Sequence, residues 1–583
     1  LMSGWNNGTW GYFIDVHHFE EQGWRNFSET KADQVFSTLS WRGDRGSLDL
    51  TLGANDNDMK GNGAVPIQLH EQQREAIFTH FDQTITRMFF SELEGTFDVT
   101  DTFQLSTNVY FRQNRIKSFN GDDSDFEACD LSAGLLCEEP GVDEEVVVDT
   151  NGNDVAFSDS VDGATNNTSQ THMRSVGGTI QSMFNKDIFG HENVFVFGAA
   201  IDHAEVHFES NTELAQLTST RGTLGSDIFT EEGKVRLNTT TKTYGVYFSE
   251  SFSVTDALTV SFSGRYNHTR IRLKNQFING VDKLTGEHSF DRFNPAAGIT
   301  YQIVDNLTVY GSYSESSRVP TPMELSCADE NDPCKLPNAF LADPPLAQVV
   351  AKTWEAGFRG NLDELLGKGD LSWNAGFFHT TNHNDIIFNR GGGSISEGFF
   401  SNVGQTLRYG VETGLSVNVP DLFSDIDDWH FSTNYTYLNA RFLDGFTIQN
   451  PLDTTQAALV ETGDRIPGIP EHIYKASLGV DLWKKLSLAI DTQYSGEQYF
   501  RGDEANITDP LGGYWVFNFR AELKINEHVA LFGRVDNIFD RDYKSFGVYG
   551  EADGVLGAAF DDGRFVSPGA PRAGWIGIRL TML

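Results

Sequence analysis

Apolar and polar residues alternate at period two in segment after segment of this sequence. In LTVYGSYS, Leu307, Val309, Gly311 and Tyr313 share one side while Thr308, Tyr310, Ser312 and Ser314 share the other. ALTVSFSGRY sets Leu258, Val260, Phe262 and Tyr266 against Thr259, Ser261, Ser263 and Arg265. SLDLTLGAN sets Leu48, Leu50 and Leu52 against Asp49 and Thr51. The last segment, GWIGIRLTML, opposes Ile576, Ile578, Leu580 and Met582 to Arg579 and Thr581. Successive side chains of a strand point to opposite faces, so this pattern predicts strands with one greasy and one wet face. About twenty such strands are expected along the chain, and the fold class is all-β.

The connections fall into two alternating classes. Tight ones include GDRG at 43–46, DVTD at 98–101, VTDA at 254–257, VDN at 304–306, WKK at 483–485 and INEH at 525–528. The others are long, polar and acidic, over 57–82, 114–171, 209–239, 319–349, 445–463 and 542–570. A soluble sandwich has no reason to gather short turns at one end and long loops at the other. A transmembrane barrel does, with short periplasmic turns and long extracellular loops. The expectation is a large antiparallel transmembrane β-barrel, closed because lipid tolerates no unpaired backbone. Trp41, Trp354, Trp373, Trp483, Trp515 and Trp575 stand near strand ends, as interfacial girdles require. The longest nearly apolar run, VFVFGAAI at 194–201, falls well short of the roughly 20 residues of a membrane helix. The mean hydropathy of −0.35 fits a barrel, since only alternate strand residues meet lipid.

A formal net charge of −39 excludes a nucleic-acid partner held by phosphate contacts. The first residues carry no basic and apolar leader, so the chain reads as mature, processed or cut from something longer. The cysteines form two close pairs, Cys129 with Cys137 and Cys327 with Cys334, spaced for surface-loop disulfides, with free thiols or a metal site as the alternatives. No nucleophile elbow, phosphate loop or HExxH motif is present, so no enzyme and no catalytic residue is expected.

Several stretches then resemble one family. RVDNIFDRDY at 534–543 with the terminal PRAGWIGIRL, YGSYSESSRVPTPMEL at 310–325 with VVAKTWEAGFRG at 349–360, and WGYFIDVHHFEEQGWRN at 10–26 are similar to stretches of TonB-dependent outer-membrane transporters. The resemblance implies a barrel of 22 strands filled by an N-terminal plug. Residues 1–583 are then the barrel portion, with the plug and the first two strands absent. The final Leu583 stands where the family usually ends in an aromatic residue. The resemblance further implies the outer membrane of a Gram-negative bacterium and active uptake energised by the TonB–ExbB–ExbD complex through the plug. The ligand is expected to be a siderophore-like metal complex or another scarce nutrient, with no resident cofactor. Cobalamin, a quinone cofactor, an oligosaccharide, a passive porin and a secreted adhesin stay open as alternatives. Outer-membrane lipid and lipopolysaccharide are the expected surroundings.

A ligand too large for porins calls for a concave mouth with aromatic walls and a few polar groups. The candidates in loops and upper lumen are Trp24, Arg25, Phe27, Arg318, Phe340, Phe388, Arg390, Phe399, Phe400, Tyr499, Phe500 and Arg501, each with loop packing as its rival reading. His203, Glu205 and His207 share one strand face, as do His379 and His383, but polar residues at the outer rim explain them without a metal. The acidic run in 114–171, with DTNGND at 149–154, reads as solvated charge before calcium, since an EF-hand's terminal Glu is missing. The negative charge disfavours anionic ligands at the mouth and favours cationic or metal-bearing ones.

Overall fold

The computed structural model describes residues 1–582 except 62, 125, 140–144, 160–162, 232, 278–281, 329–333, 336–345 and 391–396. Twenty-two strands form one antiparallel sheet. One of them, Thr223–Phe229, is a side branch that among the described residues pairs only with the upper end of Asn193–Leu217. The remaining twenty-one follow one another as neighbours in chain order, from Met2–Asn6 through Trp10–Glu21, Thr30–Arg42, Gly46–Lys60 and Asp82–Thr100 to Val529–Asp536 and Ala573–Leu580.

The ladder registers assign the faces. Leu50, Leu93, Val109, Gly178, Ile201 and Tyr244 stand directly opposite one another across successive strands. Leu93, Val109, Ile201 and Tyr244 in this row are exposed. One residue along, the row reads Thr51, Glu92, Tyr110, Gly177, Asp202 and Thr243. An apolar row outward and a polar row inward is the arrangement of a lipid-embedded wall around a wet lumen. Val260 and Phe262 face out with Ile299 and Ala297, as the alternation predicts. The tight turns also stand where expected: the Gly43 N–H donates to the Gly46 carbonyl at 2.8 Å, and Lys485 to Leu482 at 2.9 Å.

Two expectations need correction. Trp575 does not join a girdle: it stands opposite Arg534, whose guanidinium lies 5.7 Å from the indole centroid on the lumen face. Ile576, Ile578 and Leu580 take the outer face of that strand, so period two turns Trp575 inward. The long loops are also shorter than predicted, because strands continue past the apolar belt. The segment expected over 114–171 is strand up to Asp123 and again from Gly163, and that expected over 209–239 is strand to Leu217 and from Val235. Above the belt the alternation inverts: Ile271 and Leu273 are buried inward at 1% and 0% exposure, while Arg270, Arg272 and Lys274 point out. Water now bathes the outer face and loops cover the inner one, so the polarity of each face reverses while the ladder continues.

Among the described residues the first and last strands of the series do not pair with each other. Among the described residues, Met2–Asn6 pairs only with Trp10–Glu21, and Ala573–Leu580 only with Val529–Asp536. An even number of antiparallel reversals separates these border strands, so they run in the same direction. Above this seam the loops meet. Val65 and Pro66 add a third strand to the hairpin of Lys544–Tyr549 and Arg564–Pro568, through Val65 opposite Val566 and Pro66 opposite Phe565. His70 reaches Asp542 at 3.1 Å and Arg74 reaches Asp540 at 3.1 Å, tying the same two loops by charge.

Candidate ligand-binding mouth

The loops over the outer opening form packed bodies rather than free coils, because each buries its own apolar cluster. One core contains Val65, Leu69, Ala76, Phe500, Leu511, Tyr549 and Val566. A second contains Leu325, Cys327, Val349 and Ile386, with Phe388 and Phe400 packed against it. A third gathers Val403, Phe442, Ile448, Val460 and Ala505. A fourth, of Phe126, Leu136, Val147 and Leu214, lies beside a disulfide between Cys129 and Cys137. Cys327 is fully buried and disulfide-bonded, whereas the Cys334 side chain lies outside the described residues.

The predicted residues distribute over these bodies. Trp24 and Arg25 are half-buried in the loop 22–29. Arg25 donates to the carbonyls of Ala76 (2.9 Å) and Gly63 (3.0 Å), which binds this loop to its neighbour. Burial drags its guanidinium down to about 10, against the pull of Asp82. Phe27 stacks on His80 with ring centroids 4.0 Å apart. Arg318 pairs with Glu324 at 2.7 Å, and Glu324 closes a capping box with Thr321 over the short helix Pro322–Leu325. Phe388 and Phe400 meet edge to face at 5.2 Å on paired strands that also carry Arg390 and Phe399, and the Phe400 N–H donates to the Cys327 carbonyl at 2.6 Å. The Arg390 side chain and all of Phe340 lie outside the described residues. Tyr499 sits beneath the Arg465 guanidinium, 5.5 Å from the ring centroid, and Phe500 is 2% exposed in the first core. Arg501 is exposed, its backbone tied to Gly547 and Tyr549.

The structure therefore joins Arg318 with Phe388, Arg390, Phe399 and Phe400 in one body. Tyr499, Phe500 and Arg501 join the body into which Arg25 is tied through Ala76. Charge in the collar is mostly matched: Asp385 accepts from Thr406 at 2.6 Å and from both Arg408 nitrogens at 3.1 Å. Burial alone would push this carboxyl up, but the Thr406 hydroxyl and Arg408 hold it below its ordinary value. Asp149 of DTNGND accepts the backbone N–H groups of Asn151 (2.8 Å) and Asn153 (2.9 Å), which pulls it down to about 2 and uses it as a turn-maker. Among the described residues no cluster of three metal-ligating side chains occurs.

A feature the sequence reading missed lies on the inner wall beside the seam. A cavity of about 640 Å³ is lined by His430, Asp481, Arg520, Glu522, Arg534 and Arg579 among others. Arg579 pairs with Glu522 at 2.8 Å, Arg520 with Asp491 at 3.1 Å and His430 with Asp481 at 3.1 Å. Its signal was available, since these charges occupy the wet positions of alternating strands.

Comparison with known proteins decides the family. A sequence model described as "TonB dependent receptor-like, beta-barrel" matches residues 23–538. The chain belongs to that family. The probable TonB-dependent siderophore receptor PiuA of Acinetobacter baumannii is 23% identical over 305 residues, 52% of this chain and 37% of that protein. The ferric-pyoverdine BN7/BN8 receptor of Pseudomonas putida is 23% identical over 340 residues, 56% of this chain and 35% of that protein. The matched stretch thus spans little more than a third of either relative. Among solved structures, the siderophore receptor PiuA from Acinetobacter baumannii superposes with a TM-score of 0.72 at 15% identity, covering 99% of this chain and 78% of that one. The ferric-catecholate import receptor Fiu of Escherichia coli K12, in its closed form, gives 0.70 at 15% identity, covering 99% and 79%. Family members of this kind are outer-membrane receptors of Gram-negative bacteria.

Proposed function

We propose that this barrel is the membrane-spanning part of an outer-membrane receptor that imports a siderophore-like metal complex, energised through TonB–ExbB–ExbD. The observation that carries this reading is the family match over residues 23–538 on a sheet with an oily outside and an ion-paired inside. The named relatives are receptors for siderophores and ferric pyoverdine, which favours an iron chelate over the other ligands considered. No chemical step belongs to the chain: it captures and passes a ligand. The loop bodies carrying Trp24, Arg501, Phe399 and Arg318 offer aromatic and polar surface at the outer opening, suited to a metal-bearing chelate.

Two further elements belong to the proposal. A plug domain in the whole protein would rest against the charged inner wall around Arg520, Arg534 and Arg579. The seam between Met2–Asn6 and Ala573–Leu580 would be filled by additional strand. Because its borders run the same way, antiparallel closure takes an odd number of strands, so one fits where the sequence reading expected two. The test is uptake of labelled ferric siderophores by cells with and without the gene, in TonB-containing and TonB-lacking backgrounds. Uptake that requires both is expected. Uptake indifferent to TonB, or steady ion conductance by the whole protein, would overturn the reading in favour of a passive channel.

A further inference from the structure

The inner wall differs from one side of the lumen to the other. On Gly163–Asn185, Asn193–Leu217, Val235–Thr255 and Leu258–Asn275, from the row of Ser175, Ala204 and Thr241 down, the charged side chains that face inward are Asp202 and Arg265. Both are engaged within the wall itself. Asp202 accepts from the Tyr110 hydroxyl. Arg265 donates to Asn267 at 2.8 Å and lies 5.4 Å from the ring centre of Tyr247, whose hydroxyl reaches Gln181 at 2.9 Å. Towards the periplasmic turn the same wall becomes small and hydroxylated: Ser251 stands opposite Ser261 and Ser249 opposite Ser263, with Gly298 and Ala296 next in those rows.

The wall from Val349–Leu365 to Leu486–Ser495 is the reverse. Arg359, Asn374, Gly414, Asn434, Lys475 and Gln493 stand directly opposite one another in a single inward row. The five side chains of that row, and Glu412 beside it, are exposed to the lumen, and among the described residues they make no hydrogen bond or ion pair with another side chain. This wall is also indented. A cavity of about 500 Å³ is lined by Arg359, Asn374, Gly414, Ser416, Ser432 and Asn434 among others, and it shares Ser416 and Ser432 with the cavity of about 640 Å³ beside the seam. The indentation is therefore continuous from Arg359 to Arg520 and Arg534. One side of the lumen is level and bonded to itself; the other is hollowed and presents free polar groups.

We propose that the body filling the lumen anchors on the hollowed, charged wall, and that the ligand passes along the level one, between Gln181 and the opposed serines. This rests on the reading of the chain as the barrel of a plugged importer, and adds the side of the lumen on which the route lies. A body seated against Arg359, Glu412 and Lys475 takes these charges out of water and has to supply their partners, so parting from them leaves buried charge uncompensated. Against Asp202 and Arg265 no partner is needed, and separation there strands no polar group. Force on the plug therefore opens the lumen first along Val235–Thr255 and Leu258–Asn275. The hydroxyl groups on that side meet a hydrated, oxygen-rich solute without fixing it by charge.

The test measures thiol reactivity in the whole protein purified in detergent, with a water-soluble maleimide as the probe. Single variants Ser249→Cys and Ser263→Cys report on the level wall, and Ser416→Cys and Ser432→Cys on the hollowed one; each exchanges one oxygen for sulfur and leaves the wall's packing in place. The first two are expected to react about tenfold faster than the second two, the ratio that about 1.4 kcal/mol of extra protection gives. Adding Arg359→Ala and Lys475→Ala is expected to speed the reaction at Ser432→Cys and to leave that at Ser263→Cys unchanged. Equal protection of both walls, or faster reaction at positions 416 and 432, would overturn the assignment of the route while the plugged reading stood. Unchanged protection of Ser432→Cys without the two cations would overturn their anchoring role. Reaction of every thiol at the rate of a free cysteine would mean an open lumen, and the plugged importer would fall together with the route.

Discussion

Tyr110 donates its hydroxyl to Asp202 across the inner wall, passing over Gly177 on the strand between them. A Cβ at Gly177 would come within 2.6 Å of Tyr110 Cε1 and 2.7 Å of Asp202 Oδ1. The glycine is what lets a three-strand polar row close. Gly177→Val should force the pair apart and destabilise the barrel by about 1–3 kcal/mol, the usual cost of overpacking. Thermal unfolding in detergent reads the effect, and a midpoint equal to that of the wild type would count against it.

The face assignment predicts an asymmetry between neighbours. Lys in place of the outward Val260 should cost about 2–4 kcal/mol of stability in lipid, while Ser261→Lys, one residue along and facing the lumen, should cost far less. Denaturant titration of the two variants in vesicles decides the matter, and equal costs would mean the faces are exchanged.

Arg25 links two loops through the backbone carbonyls of Gly63 and Ala76, a geometry that a lysine cannot reproduce with its single ammonium. Arg25→Ala should cost about 1–3 kcal/mol locally, because the carbonyls of Gly63 and Ala76 lose a charged donor. Faster hydrogen exchange over residues 61–81 is the expected result, with Arg25→Lys recovering only part of the protection.

Asp82, at the outer end of its strand above the apolar belt, is pushed up to about 6, first by burial and then by Asp122, against the opposing Asn120 amide, Gly63 N–H and Arg25. The folded state therefore holds this proton more tightly than an unfolded chain, where aspartate titrates near about 3.9. Its contribution to stability is full below about pH 4 and is lost as pH rises through about 6. The thermal midpoint should fall between those limits in the wild type by more than in Asp82→Asn. An equal fall in both would remove Asp82 as the cause.

The Cys129–Cys137 bond closes a short loop beside the fourth loop core. Replacing both residues with serine should loosen that loop and leave the barrel's own unfolding unchanged, since no stave passes through it. Proteolysis confined to 124–162 is the expected readout, and global destabilisation would contradict it.

Most of the wall was legible in the sequence because lipid imposes one rule on every stave. Val260 against Ser261 and Ile576 against Arg579 could be assigned from alternation before any coordinates. The rule stops at the headgroups, which is why the strand ends near Asp123 and Leu217 were read as loop: RIRLKN still alternates there, but with Ile271 and Leu273 turned inward. Trp575 was misplaced because its proximity to a strand end was weighed before its phase. The mouth was harder for a different reason. Phe388, Phe400 and Phe500 have the composition of a ligand wall, yet aromatic residues that pack loops look the same in one dimension, and only the cores they join separate the roles. The inner-wall charges were visible as residues but not as a cavity, since Arg520, Arg534 and Arg579 meet only when three successive strands are laid side by side.

The reversal of polarity along the upper staves works as a depth gauge. Sinking the barrel by one ladder step, about 3 Å, would drag Lys242, Arg174 and Arg270 into oil, and raising it by as much would strand Val246 and Tyr266 in water. Either displacement meets a restoring force on several staves at once. The height at which this protein floats is thus written into its outer wall, independent of what its loops hold above or its lumen encloses below.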